Sequence, residues 1–355
     1  MAPARAGRLS LGARAGLWLF AALAWAGTVV PARAADPPIL NVASVPSLDP
    51  AGRISYGRFL QVSLPRAFAL SPGGKMGWYG GAATIEEARE KALASCAAKG
   101  GAGCAIYAED LRIVWPGKES APPPPPPGPL IETIQYAFVP DPRFIWRGPA
   151  AATGLYVWGH GKNNMMDSRG QQPPPYVREF NNAGFDIVRF DREPSRDYSE
   201  SAVKWLRSGL ATLRSQGWKV IVSGGQSRGG WTSLDALNVA GLADAVIATA
   251  PASFSGTDNT GAMYSIVHAA AAPTTRVAIA VFDNDPYVTD MDRRAALYRD
   301  DLPSRVGAFL LIDRPKAITG HGGGNTVLFA QHYADCLIHF VMDRVPPTSC
   351  PAPAR

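Results

Sequence analysis

The chain has 355 residues, of which 46% are hydrophobic and 18% charged, with 36 Gly and 32 Pro. Gly and Pro together stay below the roughly 25 to 30% of low-complexity disorder, so a packed globular protein is expected, and the length predicts two domains at about 100 to 200 residues each. The formal charge of +6, from 35 Lys and Arg against 29 Asp and Glu, points to a polyanion partner only if the excess is spread over the folded chain.

It is not. Residues 1–34 hold Arg5, Arg8, Arg14 and Arg33 and no acidic residue, and the apolar run 17–30 leads into Ala32-Arg33-Ala34. A basic start, a short apolar run and small residues at alternate positions predict a signal peptide over residues 1–34, because a membrane anchor needs about 20 apolar residues. Without it 31 basic residues face 29 acidic ones, so no nucleic-acid partner and no stable membrane span after cleavage are expected. The predicted location is periplasmic or secreted. An oxidising compartment favours disulfides, and Cys96, Cys104, Cys336 and Cys350 lack the C-x-x-C spacing of zinc or redox sites. Four cysteines allow three pairings; two lie on each side of a proline run, which predicts Cys96 with Cys104 and Cys336 with Cys350.

Residues 50–117 read as a small α+β domain of the order strand, strand, helix, strand. Strands are expected at 67–70 and 77–82. Thr84 with Glu87 three residues later is a capping box that opens a helix, whose apolar face is Ile85, Ala88, Ala92, Leu93 and Cys96 before Gly100-Gly101 ends it. Residues 104–115 then alternate as a strand. This segment resembles small disulfide-containing modules found as accessories in exported bacterial proteins, a resemblance that implies no activity. Residues 118–130 follow as a linker, in which Pro122 to Pro127 favour an extended polyproline II strut.

From 131 to 345 strands and helices alternate. Short Val/Ile/Phe-rich runs at 155–159, 185–190, 220–223, 245–249, 277–282 and 309–312 are separated by amphipathic stretches such as 200–216, striped by Val203, Leu206, Leu210 and Leu213. Continuous apolar strands divided by such helices predict an α/β architecture, a doubly wound and mostly parallel sheet covered on both faces. Residues 346–355 are a Pro-rich tail.

After the third of these strands stands Gly225-Gln226-Ser227-Arg228-Gly229. Small residues two before and two after a serine suit a sharp strand-to-helix turn that lifts the hydroxyl off the sheet and aims the following N–H groups at the same space. Two further sites follow in order. Asp283-Asn284-Asp285-Pro286 comes after the fifth strand, and His321 stands among glycines, Gly320 to Gly324, before the last helix. Residues 131–345 therefore resemble serine hydrolases of the α/β-hydrolase fold, nearest in style to dienelactone-hydrolase-like esterases and the catalytic domains of prolyl-oligopeptidase-like peptidases. The resemblance implies Ser227 as nucleophile, Asp285 as the acid with Asp283 as runner-up, and His321 as base. Trp158-Gly159-His160-Gly161-Lys162 resembles the family's HG turn, implying an oxyanion hole from the N–H groups of Arg228 and Lys162, with Gly161 as substitute and His160 as structural support.

No metal or organic cofactor is expected. His332 and His339 share a helical face but have no third ligand at suitable spacing, which favours packing. The stretch between residues 250 and 277 is too short for a lid domain. The loop 163–175, with Met165 and Met166, borders the hole and could shape a pocket; Arg228 could meet an anionic group of the substrate, but a local salt bridge is the first expectation. The substrate expected is a small-molecule ester, a lactone or a polymer-linked acyl group; a peptide bond is second, and a non-catalytic envelope-binding protein is the alternative from another class. The chain names no protein partner.

Overall fold

The computed structural model describes residues 37–162, 166–253 and 259–351. The expected leader, the end of the tail and part of the 163–175 loop, Met165 included, lie outside them. The first long element, helix α1 (Pro50–Gln61), is one that hydrophobic spacing did not suggest, because Gly52 interrupts its apolar stripe. Its start is set by local chemistry: Asp49 accepts a hydrogen bond from the Gly52 N–H at 2.6 Å and Pro50 occupies the first turn. Tyr56, Phe59 and Leu60 then bury its inner face.

Strands β1 (Arg66–Leu70) and β2 (Met76–Gly80), helix α2 (Ile85–Ala98) and strands β3 (Ala105–Glu109) and β4 (Arg112–Ile113) complete a small unit. Its antiparallel sheet has the order β2-β1-β3-β4. The capping box forms, with Thr84 Oγ1 accepting from the Glu87 N–H at 3.2 Å and Glu87 Oε2 accepting from the Ala83 N–H at 2.8 Å. The single strand expected over 104–115 is two strands. Asp110 adopts φ +47°, and the chain reverses there so that β4 pairs back on β3. A disulfide joins Cys96 at the end of α2 to Cys104 at the start of β3, with Cα atoms 6.3 Å apart.

The proline run does not stand clear of the rest. Pro123 and Pro126 are half-buried while their neighbours are exposed, the spacing expected of a polyproline II helix with about three residues per turn. The run borders a groove that Leu64, Ile85, Arg112 and Phe144 also line.

The larger sheet is built from β5 (Ile131–Glu132), β6 (Tyr136–Pro140), β7 (Gly154–Gly159), β8 (Phe185–Arg192), β9 (Ile221–Gln226), β10 (Ala245–Thr249), β11 (Ala272–Val281) and β12 (Val306–Asp313). Its order is β12-β11-β10-β9-β7-β8-β6-β5. Strands β7 to β12 are parallel; β6 runs antiparallel to β8, and β5 to β6. The two antiparallel edge strands were not read from sequence, since β5 has two residues and β6 ends at a proline. The helices are α3 (Pro175–Asn182), α4 (Ser199–Ser215), α5 (Arg228–Asp235), α6 (Thr260–Ala269), α7 (Met291–Asp301) and α8 (Val327–Met342). One face of the sheet buries Val222, Ile247 and Ala278 against Tyr176 and Phe180 of α3 and Phe329, Leu337 and Phe340 of α8. On the other face Val246 and Ile279 meet Trp231 of α5, Met263 of α6 and Tyr298 of α7, while Leu206 and Leu210 of α4 cover Val157 and Val188. A second disulfide, Cys336 to Cys350 with Cα atoms 5.7 Å apart, ties the chain after α8 back onto that helix.

From β7 the chain passes to β8 on one side and only then to β9 on the other. The connections therefore part at the carboxyl ends of β7 and β9, leaving the crevice in which open α/β sheets bind ligands.

Candidate active site

Ser227 stands at that crevice, between the last residue of β9 and the first of α5. Its backbone has φ 54° and ψ −119°, a region costly for a residue with a Cβ and held only where the surroundings enforce it. The enforcement is visible. The Ser227 N–H donates to the Thr249 carbonyl at 3.0 Å, and its own carbonyl accepts from the Trp231 N–H at 2.9 Å. The flanking glycines let the turn lock onto β7: a Cβ at Gly225 would lie 2.2 Å from the Gly159 carbonyl oxygen, and one at Gly229 1.9 Å from the same atom.

His321 comes from the loop between β12 and α8. Its Nδ1 lies 2.9 Å from Asp285 Oδ2 and 3.0 Å from Oδ1, and the Asp285 side chain is almost wholly enclosed, at 1% exposure. With Nδ1 held by the carboxylate, Nε2 is the nitrogen left for proton transfer. Of the two aspartates after β11, Asp285 carries the contact. Asp283 shapes the same loop through its carbonyl, which accepts from the Gly320 N–H at 2.7 Å.

Two residues to which the sequence reading gave no role hold this pair. Tyr287 donates its N–H to Asp285 Oδ1 at 2.9 Å and lays its ring 4.4 Å from the imidazole. Gln226 Nε2 donates to the His321 carbonyl at 2.9 Å, tying the serine turn to the histidine loop. Asp-Pro-Tyr is a local signal, since aspartate commonly accepts from the N–H two residues on. The Gln226 contact spans 95 residues and has no local signature.

The turn after β7 closes the site. Ser227, His321, Tyr287, Gln226, Arg228, Gly161 and Lys162 line one cavity of about 80 Å³. His160 lies beneath, buried, its Nδ1 2.6 Å from the Gly161 carbonyl and its Nε2 accepting from the Arg192 N–H at 3.3 Å. Burial, reinforced by the Arg192 cation, drives its pKa down to about 3, so the ring is neutral. Arg192, also enclosed, donates to the His160 carbonyl at 2.7 Å and pairs with Asp197 at 3.1 Å. This brace has no local signature, because His160 comes from the turn after β7, Arg192 from the end of β8 and Asp197 from the turn that follows it.

Arg228 departs from expectation. It is 4% exposed, its Nη1 donates to Ser199 Oγ, and among the described residues it pairs with no carboxylate. Among the described residues its Nε is buried without a partner. Burial, with the nearby Arg192 adding, holds its pKa below the usual guanidinium value against the opposing field of Asp197. The helical histidines do not converge on a ligand: His339 pairs with Asp343 at 3.1 Å and with Asp335 at 3.7 Å. Among the described residues no group of three His, Cys, Asp or Glu side chains could hold a metal ion, and no helix is long and apolar enough to cross a membrane.

The strand order, the switch point and the strained serine turn define an α/β-hydrolase fold, preceded by a small antiparallel-sheet domain. No family model matches the chain, and no curated protein does. Among solved structures it is similar to the Pyrococcus furiosus esterase Pf2001, at 10% identity and a TM-score of 0.40, over 57% of this chain and 84% of that one. It is also similar to a puromycin-hydrolyzing peptidase of Mycobacterium tuberculosis, at 13% identity and a TM-score of 0.39, over 56% of this chain and 36% of that one.

Proposed function

We propose that the protein is an exported serine hydrolase that cleaves a carboxylic ester or lactone through an acyl-enzyme on Ser227. The observation that carries the reading is the meeting, in one small cavity, of a serine at positive φ and a histidine whose Nδ1 is held by a buried aspartate. In this reading His321, oriented by Asp285, takes the Ser227 proton as Oγ attacks the acyl carbonyl, and returns it to the departing alcohol oxygen. The oxyanion rests on the N–H groups of Arg228 and Lys162, with Gly161 packed tightly beside Gln226 and Ser227 to bring that turn close. Water then attacks the acyl-enzyme with His321 again as base. The neutral, hydrogen-bonded His160 supports the turn and takes no part in proton transfer.

Residues 1–34 act as the signal peptide, 50–117 as an accessory domain, 118–130 as the linker, 131–345 as the catalytic domain and 346–355 as a tail. The two disulfides suit an oxidising compartment. Mature protein is expected to be labelled by a fluorophosphonate probe and to release p-nitrophenol from short acyl esters. Ser227→Ala should abolish both while retaining the wild-type circular dichroism spectrum. Labelling that persists in Ser227→Ala would refute the nucleophile assignment.

A further inference from the structure

Arg228 follows the proposed nucleophile in sequence, lines the same cavity, and is a cation enclosed to 4% exposure. Its only hydrogen-bond acceptor among the described residues is a neutral hydroxyl, Ser199 Oγ, and its Nε has no partner. The one carboxylate nearby, Asp197, is already bonded to Arg192. A buried charge without a counter-ion is strongly unfavourable; Arg66, Arg178 and Arg294 are as deeply enclosed but donate to backbone carbonyls, whereas Arg228 donates to no carbonyl among the described residues and lines the serine cavity. We infer that Arg228 binds a carboxylate carried on the acyl part of the substrate, so that the hydrolase prefers half-esters of short dicarboxylic acids. This rests on the hydrolase reading above and names its substrate class.

The assignment to the acyl part follows from topology. Ser199, toward which the guanidinium reaches, begins the helix after β8, on the far side of β7 from β9. His321, which would protonate the leaving alcohol, arrives from beyond β12 at the other side of the nucleophile. A carboxylate at Arg228 therefore lies away from the leaving group. It also lies within one side-chain length of the residue whose N–H faces the scissile carbonyl. The cavity is small, about 80 Å³, which suits a short acyl chain between the two.

The test uses full-length mature protein. Monoethyl succinate and monoethyl glutarate are compared with the corresponding neutral diethyl esters, following acid release in a pH-stat. The half-esters should exceed the diesters in kcat/KM by about 10- to 100-fold, the range that a hydrogen bond between charged groups commands. Arg228→Gln should erase that preference mainly through KM, and Arg228→Lys should restore part of it. Equal or better turnover of the diesters by wild type, or a preference unchanged in Arg228→Gln, overturns the inference. Thermal melting is a second measurement that needs no catalysis. Glutarate should raise the wild-type Tm while glutaramide does not, and a glutarate shift no larger than that of glutaramide counts against the proposal, even if Arg228→Gln fails to fold. A wild-type protein that no fluorophosphonate labels, yet glutarate stabilises through Arg228, would sink the hydrolase reading and leave the anion site standing.

Discussion

Replacing Gly229 by Ala puts one methyl group where β7 meets the serine turn. The added Cβ would lie 1.9 Å from the Gly159 carbonyl oxygen and 2.4 Å from its carbon, both backbone atoms that no rotamer change can move, whereas real Cβ atoms almost never come within 3.0 Å. The carboxyl end of β7 and the start of α5 must therefore part by roughly 1 Å. Gly161 and Lys162 follow β7, while Ser227 precedes α5 and Arg228 begins it, so the separation opens between the proposed Lys162 donor and the proposed nucleophile. A shift of this size costs about 10²-fold in rate, and loss of one hole donor about 10²- to 10³-fold. The overpacking adds about 1 to 3 kcal/mol of destabilisation. Gly229→Ala is thus expected to fold with a lowered Tm and to react with a fluorophosphonate at least about 100 times more slowly than wild type, measured as the second-order labelling rate. Wild-type labelling together with a wild-type Tm would show that the glycine contact does not set the distance between the turns.

Asp285→Asn keeps the shape but removes the charge that holds His321 Nδ1–H, and kcat on a p-nitrophenyl ester should fall by about 10⁴-fold with little change in melting; Asp283→Asn, changing a residue that meets the loop through its carbonyl, should fall far less. Burial pushes the Glu179 carboxyl up to about 7, above its unfolded value, so the folded state binds the extra proton and stability declines as pH rises through that window. Glu179→Gln should accordingly raise Tm at pH 8, with a gain that shrinks toward pH 5, and a gain independent of pH would contradict the assignment. Gly57 lies inside α1 with nothing within 4 Å of an added Cβ, so Gly57→Ala should raise stability by about 0.5 to 1 kcal/mol in urea unfolding without touching activity.

How far the sequence carries can be judged from particular elements. Hydrophobic spacing located the six parallel strands because β7 to β10 and the second half of β11 are buried on both faces and all six hold short apolar-rich runs, and a five-residue pattern placed the serine turn since its glycines answer a local steric demand. Capping chemistry marked the start of α2 for the same reason: Thr84 accepts from the N–H three residues on. Helix α1 escaped because its stability comes from Tyr56 and Phe59 packing on Phe68 of β1, and strands β5 and β6 because pairing with β8 and with each other supplies what their short sequences do not.

The division at the site is of the same kind. The resemblance to the family's chain order proposes Ser227, an aspartate after β11 and His321, and all three stand at strand ends that converge on one crevice of the sheet. Which aspartate meets the imidazole, the Gln226 tie to the histidine loop, the Arg192 and Asp197 brace under His160, and an Arg228 left without a counter-ion among the described residues are decided by tertiary structure. Each depends on groups dozens of residues apart arriving within hydrogen-bond distance, or failing to. Local propensity carries no information about such separations; only the packing of the sheet and its turns does.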